Sequence, residues 1–152
     1  MLKKKFVIIL TLIFLSSCEY KPIYSNSNKL NYKIIITEIS GDKNINKFLI
    51  EDILRNSQKK SNKIINIQLN TTYTKIILAK DTAGNITNYR ANVLANFLIN
   101  KDQTTEQIEI NEKFNFQKMS DKYEEKNYEK NIKKNLAKSI SQKLIFRLSI
   151  PQ

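Results

Sequence analysis

The chain's apolar positions change period twice, and the changes mark out its elements. Tyr32–Ile39 is rich in isoleucine and reads as a first strand, partly buried on both faces. Ser40-Gly41-Asp42 is a turn in which Asp42 or Asn44 can cap a following helix. Ile45, Phe48, Leu49 and Ile53 then recur at helical spacing, with Lys47, Glu51 and Arg55 on other faces, which predicts an amphipathic helix over residues 44–57. The polar, basic stretch 57–63 is a loop. Alternation follows: Ile65, Ile67, Leu69, Thr71 and Tyr73 against Asn66, Gln68, Asn70 and Thr72, a strand with one wet face. Its phase shifts at Ile76–Leu78, which implies a bulge or a second pairing partner. After Asp81–Asn85, a loop in which Gly84 can take positive φ, the cleanest alternation runs through Tyr89, Ala91, Val93, Ala95, Phe97 and Ile99. A turn at Lys101–Thr105 leads to Ile108, Ile110, Phe114 and Phe116, alternating with Glu109, Asn111, Lys113 and Asn115. Three strands joined by short polar turns form an antiparallel meander.

From Tyr123 to Leu148 the period becomes helical again. Tyr128, Ile132, Leu136, Ile140, Leu144 and Leu148 step by four. Such a row drifts by about 40° per step, which suits a helix lying across a twisted sheet. Lys126, Lys130, Lys134 and Lys138 form a parallel basic row, read as a solvated face. The order β-α-β-β-β-α predicts an α+β domain over residues 32–150, with two helices packed on one face of a four-stranded, mostly antiparallel sheet. Either direction of the first strand fits. Tyr89, Phe97, Phe114 and Phe116 follow the strand period and belong to the core on this reading.

The amino terminus has a different character. Lys3, Lys4 and Lys5 precede Phe6–Leu15, an apolar run broken only by Thr11. It is far shorter than the roughly 20 residues that span a bilayer as a helix, so residues 1–17 read as a secretory signal. Leu15-Ser16-Ser17-Cys18 resembles the bacterial lipobox, in which the cysteine sulfur receives diacylglycerol, cleavage follows, and the new amine is acylated. Cys18 is the only cysteine in the chain. Residues 18–31, with Pro22 and several Asn and Ser, form the expected lipidated tether. Glu19, rather than Asp, after the cysteine points to the outer membrane.

Composition narrows the function further. The chain has 152 residues, no histidine, one cysteine and two isolated glycines. That leaves no Cys/His zinc site, no Ser-His-Asp relay, no Cys-His pair and no glycine-rich phosphate loop, so an enzyme is not expected. Removing residues 1–17 with their three lysines takes the formal charge from +12 to +9. Abundant Lys, Asn and Ile also match the codons of an AT-rich genome, and export removes the protein from cytoplasmic nucleic acid, so no nucleic-acid partner is expected.

Four stretches carry a family resemblance: SCEYKPIY at the lipobox, LIEDILRN ending the first helix, AKDTAGNITNYRANVLANFLI across the central hairpin, and AKSISQKLIFRLS closing the last helix. Together with the element order they are similar to the LPS-assembly lipoprotein family LptE, whose members partner the outer-membrane barrel LptD. The resemblance implies a non-enzymatic sandwich that assists assembly of the barrel, plugs its lumen and aids lipopolysaccharide transport. It implies no cofactor beyond the lipid on Cys18. It also directs lipopolysaccharide contacts to cations near the central hairpin and before the last helix. The hairpin tip, Gly84–Asn88, is uncharged here, a departure from that pattern, and the nearest cations are Lys80 and Arg90, with Lys118 and Lys122 before the helix. The competing reading of all four is a solvated face. The alternative function is a generic lipid-tethered periplasmic binding or pilot protein for another envelope assembly.

Overall fold

The computed structural model describes residues 30–101 and 103–150. In chain order its elements are β1 (Lys33–Gly41), α1 (Lys43–Arg55), β2 (Ile64–Lys80), β3 (Ile86–Lys101), β4 (Thr104–Gln117) and α2 (Lys122–Ser149). The sheet order is β1-β2-β3-β4. β2 to β4 are antiparallel neighbours, whereas β1 pairs with β2 in parallel. The parallel pairing follows from the crossover through α1, since two strands joined that way start from the same end. The bulge expected in β2 is present: the register with β3 shifts between Ile77 and Ala79.

The sheet buries one face. Laterally paired rows such as Ile67–Ile99 and Leu69–Phe97–Ile108 line that face, and all of these residues are buried. α1 contributes Ile45, Leu49 and Ile53, and α2 contributes Ile132, Leu136, Ala137, Ile140, Leu144 and Ile145. Each large aliphatic or aromatic side chain withdrawn from water here favours folding by about 1.5–3 kcal/mol. Leu30 is also in the core, and its N–H donates to the Asn56 carbonyl at 3.1 Å.

Thr71 occupies a core position in the β2 alternation, and its hydroxyl has a partner. It donates to Asn46 Oδ1 at 2.7 Å, while Asn46 Nδ2 donates to the Ser40 carbonyl at 2.9 Å. A buried polar pair is thereby satisfied, and α1 is tied to β1 and β2. Asp42 caps α1, accepting from the N–H groups of Asn44 and Ile45.

Two expectations are corrected. β1 is not buried on both faces: Ile34 is buried, but Ile35 is 37% and Ile39 52% exposed. Both helices lie on the same side, so the other sheet face is uncovered, and β1 is in addition an edge strand. Phe114 is 43% exposed rather than core, although Phe97 and Phe116 are buried and Tyr89 packs against the core. Its place on β4, the other edge strand, leaves it with a neighbouring strand on one side only.

Candidate functional site

β1 ends where Gly41 pairs with Thr71, yet β2 and β3 continue to the pair Lys80–Ile86. The meander therefore projects beyond β1 and α1, and only the first part of α2 crosses its helix side. The turn at its tip is held by Asp81, whose Oδ1 accepts from the N–H groups of Ala83 and Asn85 at 2.9 and 2.8 Å. These bonds hold the exposed Asp81 carboxyl below its usual range, the Asn85 side chain and N–H contributing most.

A charged and aromatic cluster fixes the projecting end. Lys75 falls on the core phase of β2, where a cation needs carboxylate partners. It finds Glu125 Oε1 at 2.8 Å and Glu129 Oε2 at 3.0 Å, one helical turn apart on α2. Its ammonium also lies 4.1 Å from the centre of the Tyr89 ring and 5.3 Å from that of Phe116. Glu129 Oε1 accepts from the Tyr73 hydroxyl at 2.8 Å, and Glu125 Oε2 accepts from the Met119 N–H at 3.1 Å. Burial would push the Lys75 pKa down, but the hydrogen bonds to Glu125 and Glu129 outweigh it and hold it above the ordinary lysine value. The Lys75 hydrogen bond holds Glu125 below the usual carboxylate range, against burial and with help from the Met119 N–H. Burial first, then Glu129, pushes the Tyr73 phenol well above its ordinary range.

A second pair fastens the helices to each other. Lys133 on α2 bonds Asp42 Oδ2 at 3.0 Å and lies 3.8 Å from the centre of the Tyr73 ring. At Asp42 burial raises the pKa, but the Ile45 N–H and Lys133 outweigh it, so the net shift is downward.

The structure brings three of the four sequence-derived cations to the projecting end. Lys80 closes the β2–β3 hairpin opposite Ile86. Lys118 donates its N–H to the Thr87 carbonyl at 2.8 Å, beside that hairpin. Lys122 opens α2. All three are exposed. Arg90 is set apart: it pairs with Ile76 and Asn115 on the open sheet face, and its Nε donates to Asn115 Oδ1 at 2.9 Å. Cys18 lies outside the described residues. Among the described residues no group of three His, Cys, Asp or Glu side chains is arranged to hold a metal ion.

Two features of this end were not read from the sequence. Ile76, Ile77 and Leu78 are exposed beside Lys80, which makes the end amphiphilic. The available signal was the lost alternation, since three consecutive apolar residues in a strand cannot all face one core. Lys75 also carried a signal, a charge at a core phase with Glu125 and Glu129 spaced to meet it.

No family model and no curated protein sequence matches the chain. Solved structures do share its fold. Rare lipoprotein B from Shewanella oneidensis superposes with a TM-score of 0.53 at 15% identity, covering 72% of this chain and 93% of the other. A lipoprotein B from Nitrosomonas europaea gives 0.53 at 15% identity, covering 83% and 90%. A lipoprotein from Caulobacter crescentus gives 0.51 at 13% identity, covering 81% and 90%. At these identities the likeness is one of fold.

Proposed function

We propose that the chain is an outer-membrane lipoprotein of the LptE type. A diacylglycerol on Cys18 holds the domain at the periplasmic face of the membrane or within the lumen of the LptD barrel. There it assists barrel assembly, plugs the lumen and helps pass lipopolysaccharide to the surface, with no bond chemistry of its own. The observation that carries this reading is the amphiphilic projecting end. Lys80, Lys118 and Lys122 share that end with exposed Ile76, Ile77 and Leu78, with Arg90 on the adjoining sheet face. Lipopolysaccharide offers the complementary chemistry: phosphates and acidic sugars for ammonium and guanidinium groups, and acyl chains for the aliphatic ones. The fold shared with lipoproteins from three organisms supports the same reading.

The test is a detergent pull-down of the tagged, lipidated protein from its own envelope. The expected result is a large β-barrel protein at near-equal stoichiometry; recovery of soluble periplasmic proteins alone rejects the proposal. Anchoring is tested separately. Cys18→Ala is expected to abolish palmitate labelling and to release the protein from the membrane fraction. Undiminished labelling would show that the lipid is attached elsewhere or that the label has another source.

A further inference from the structure

Three of the helix-borne basic groups have a carboxylate. Lys133 has Asp42, Lys143 has Glu112, and Arg55 has Asp52. Lys126, Lys130, Lys134 and Lys138 differ: all four are exposed on α2, and among the described residues none has an ion-pair or hydrogen-bond partner. From Lys130 to Ser149 the helix contains no Asp or Glu, so none of the last three has a carboxylate three or four residues away on α2. The open sheet face is different again. There Glu38 and Glu109 stand against Lys33, Arg90 and Lys113, and Asn and Gln dominate. The molecule is electrically two-sided, with a basic helix surface and an amide-rich surface close to balance.

The geometry of the row selects among anionic partners. Four residues of helix rise about 6 Å, so the row is about 18 Å long. Each step also turns by about 40°, so Lys126 and Lys138 diverge by about 120°. A flat bilayer meets the two ends of the row only obliquely, whereas a concave wall faces all four. The exposed residues beside the row include Asn127, Asn131 and Asn135, which offer a hydrocarbon layer nothing to insert, and exposed Tyr123 one turn before Lys126. In a barrel lumen, alternate residues of one strand face inward about 6.8 Å apart. The mismatch with the 6 Å helical step grows to about 2 Å over the three steps, and flexible lysine stems absorb it.

We infer that this lysine row is the surface by which the domain docks against its barrel, and that the barrel wall opposite α2 carries Asp or Glu at inward positions spread over neighbouring strands. The inference rests on the barrel-plug reading above and adds the orientation of the plug and the chemistry of its partner's wall.

The experiment uses the full lipidated chain, coexpressed with its barrel and recovered in detergent at low and high salt. Lys126, Lys130, Lys134 and Lys138 are replaced together by Gln, and in a second variant together by Arg. An exposed ion pair is worth up to a factor of about five, so losing four weakens barrel recovery by on the order of tenfold or more at about 0.1 M salt. Wild-type recovery falls as salt rises, the Gln variant's residual recovery does not, and the Arg variant behaves as wild type. An unchanged circular-dichroism melt shows that the Gln variant is folded. Equal recovery by wild type and the Gln variant at both salts overturns the inference and leaves the barrel reading standing. Failure of the wild type to recover any barrel overturns both. Binding to phosphatidylglycerol vesicles that the Gln variant loses, while its barrel recovery stays at the wild-type level, assigns the row to a membrane and also overturns the inference.

Discussion

Gly41→Ala is expected to destabilise the domain by about 3 kcal/mol or more, lowering the melting temperature by roughly 10 °C or more. Gly41 ends β1 with φ of 93°, a conformation that costs an L-residue on the order of 1–2 kcal/mol. Strain of that size is the smaller part. A methyl group there would run into the Thr71 carbonyl oxygen and lie 2.7 Å from its carbon and 2.8 Å from its nitrogen. Thr71 cannot step back easily. It is paired to Ala95 across β3, its carbonyl accepts the Asp42 N–H at 3.1 Å, and its hydroxyl holds buried Asn46. Making room means parting β1 from β2 where the chain enters α1. Gly84→Ala supplies the control, because Gly84 has φ of 84° but nothing within 4 Å of the added carbon. It should cost only about 1–2 kcal/mol from the backbone conformation. Denaturant melts of the two variants check the pair. Equal losses would mean that the close approach of Gly41 to Thr71 carries no energy.

The sequence was legible wherever one face of an element was wet and the other dry. β3 shows this best: Ala91, Val93, Ala95, Phe97 and Ile99 are all buried, as their alternation implied. In α2 the row Ile132, Leu136, Ile140, Leu144 is buried as expected, and Ala137 and Ile145 widen it into a stripe. Periodicity was silent on what lies beside an element. It could not say that β1 and Phe114 lie at sheet edges, because edge and centre share the same alternation. Nor could it choose the direction of β1, which depends on the crossover. That Lys80, Lys118 and Lys122 come to one end while Arg90 stands apart depends on the strand pairing, which the hairpin register supplies. The cluster that holds this end was missed because Lys75 looked like one more lysine in a lysine-rich chain. Its meaning depends on Glu125 and Glu129, about 50 residues away in sequence.

Lys75→Met should cost about 2 kcal/mol at neutral pH, with a pH dependence that identifies the cause. The ammonium and both carboxylates are mostly buried, with side-chain exposures of 24%, 18% and 23%. Methionine keeps much of the apolar stem against Tyr89 and Phe116 but leaves Glu125 and Glu129 without their cation. Glu125 is held below its unfolded value of 4.5 in the native state, so its stabilising contribution is full above that pH and is lost as pH falls through the lower native value. Lys75 is raised above 10.5, so its contribution is full below that pH and is lost only as pH rises through the higher native value. The gap between wild type and Lys75→Met is therefore flat between about pH 5 and pH 10 and closes at both ends. In acid the variant loses less stability than the wild type, having no such pair to protonate. Adding Glu125→Gln and Glu129→Gln to Lys75→Met should recover part of the loss, since the unpaired charges then disappear together. Urea titrations from pH 3 to pH 11 decide the matter. A gap that stays constant across that range would assign the loss to packing against the two rings, and the ion pairs would then not be what holds α2 to the projecting end of the sheet.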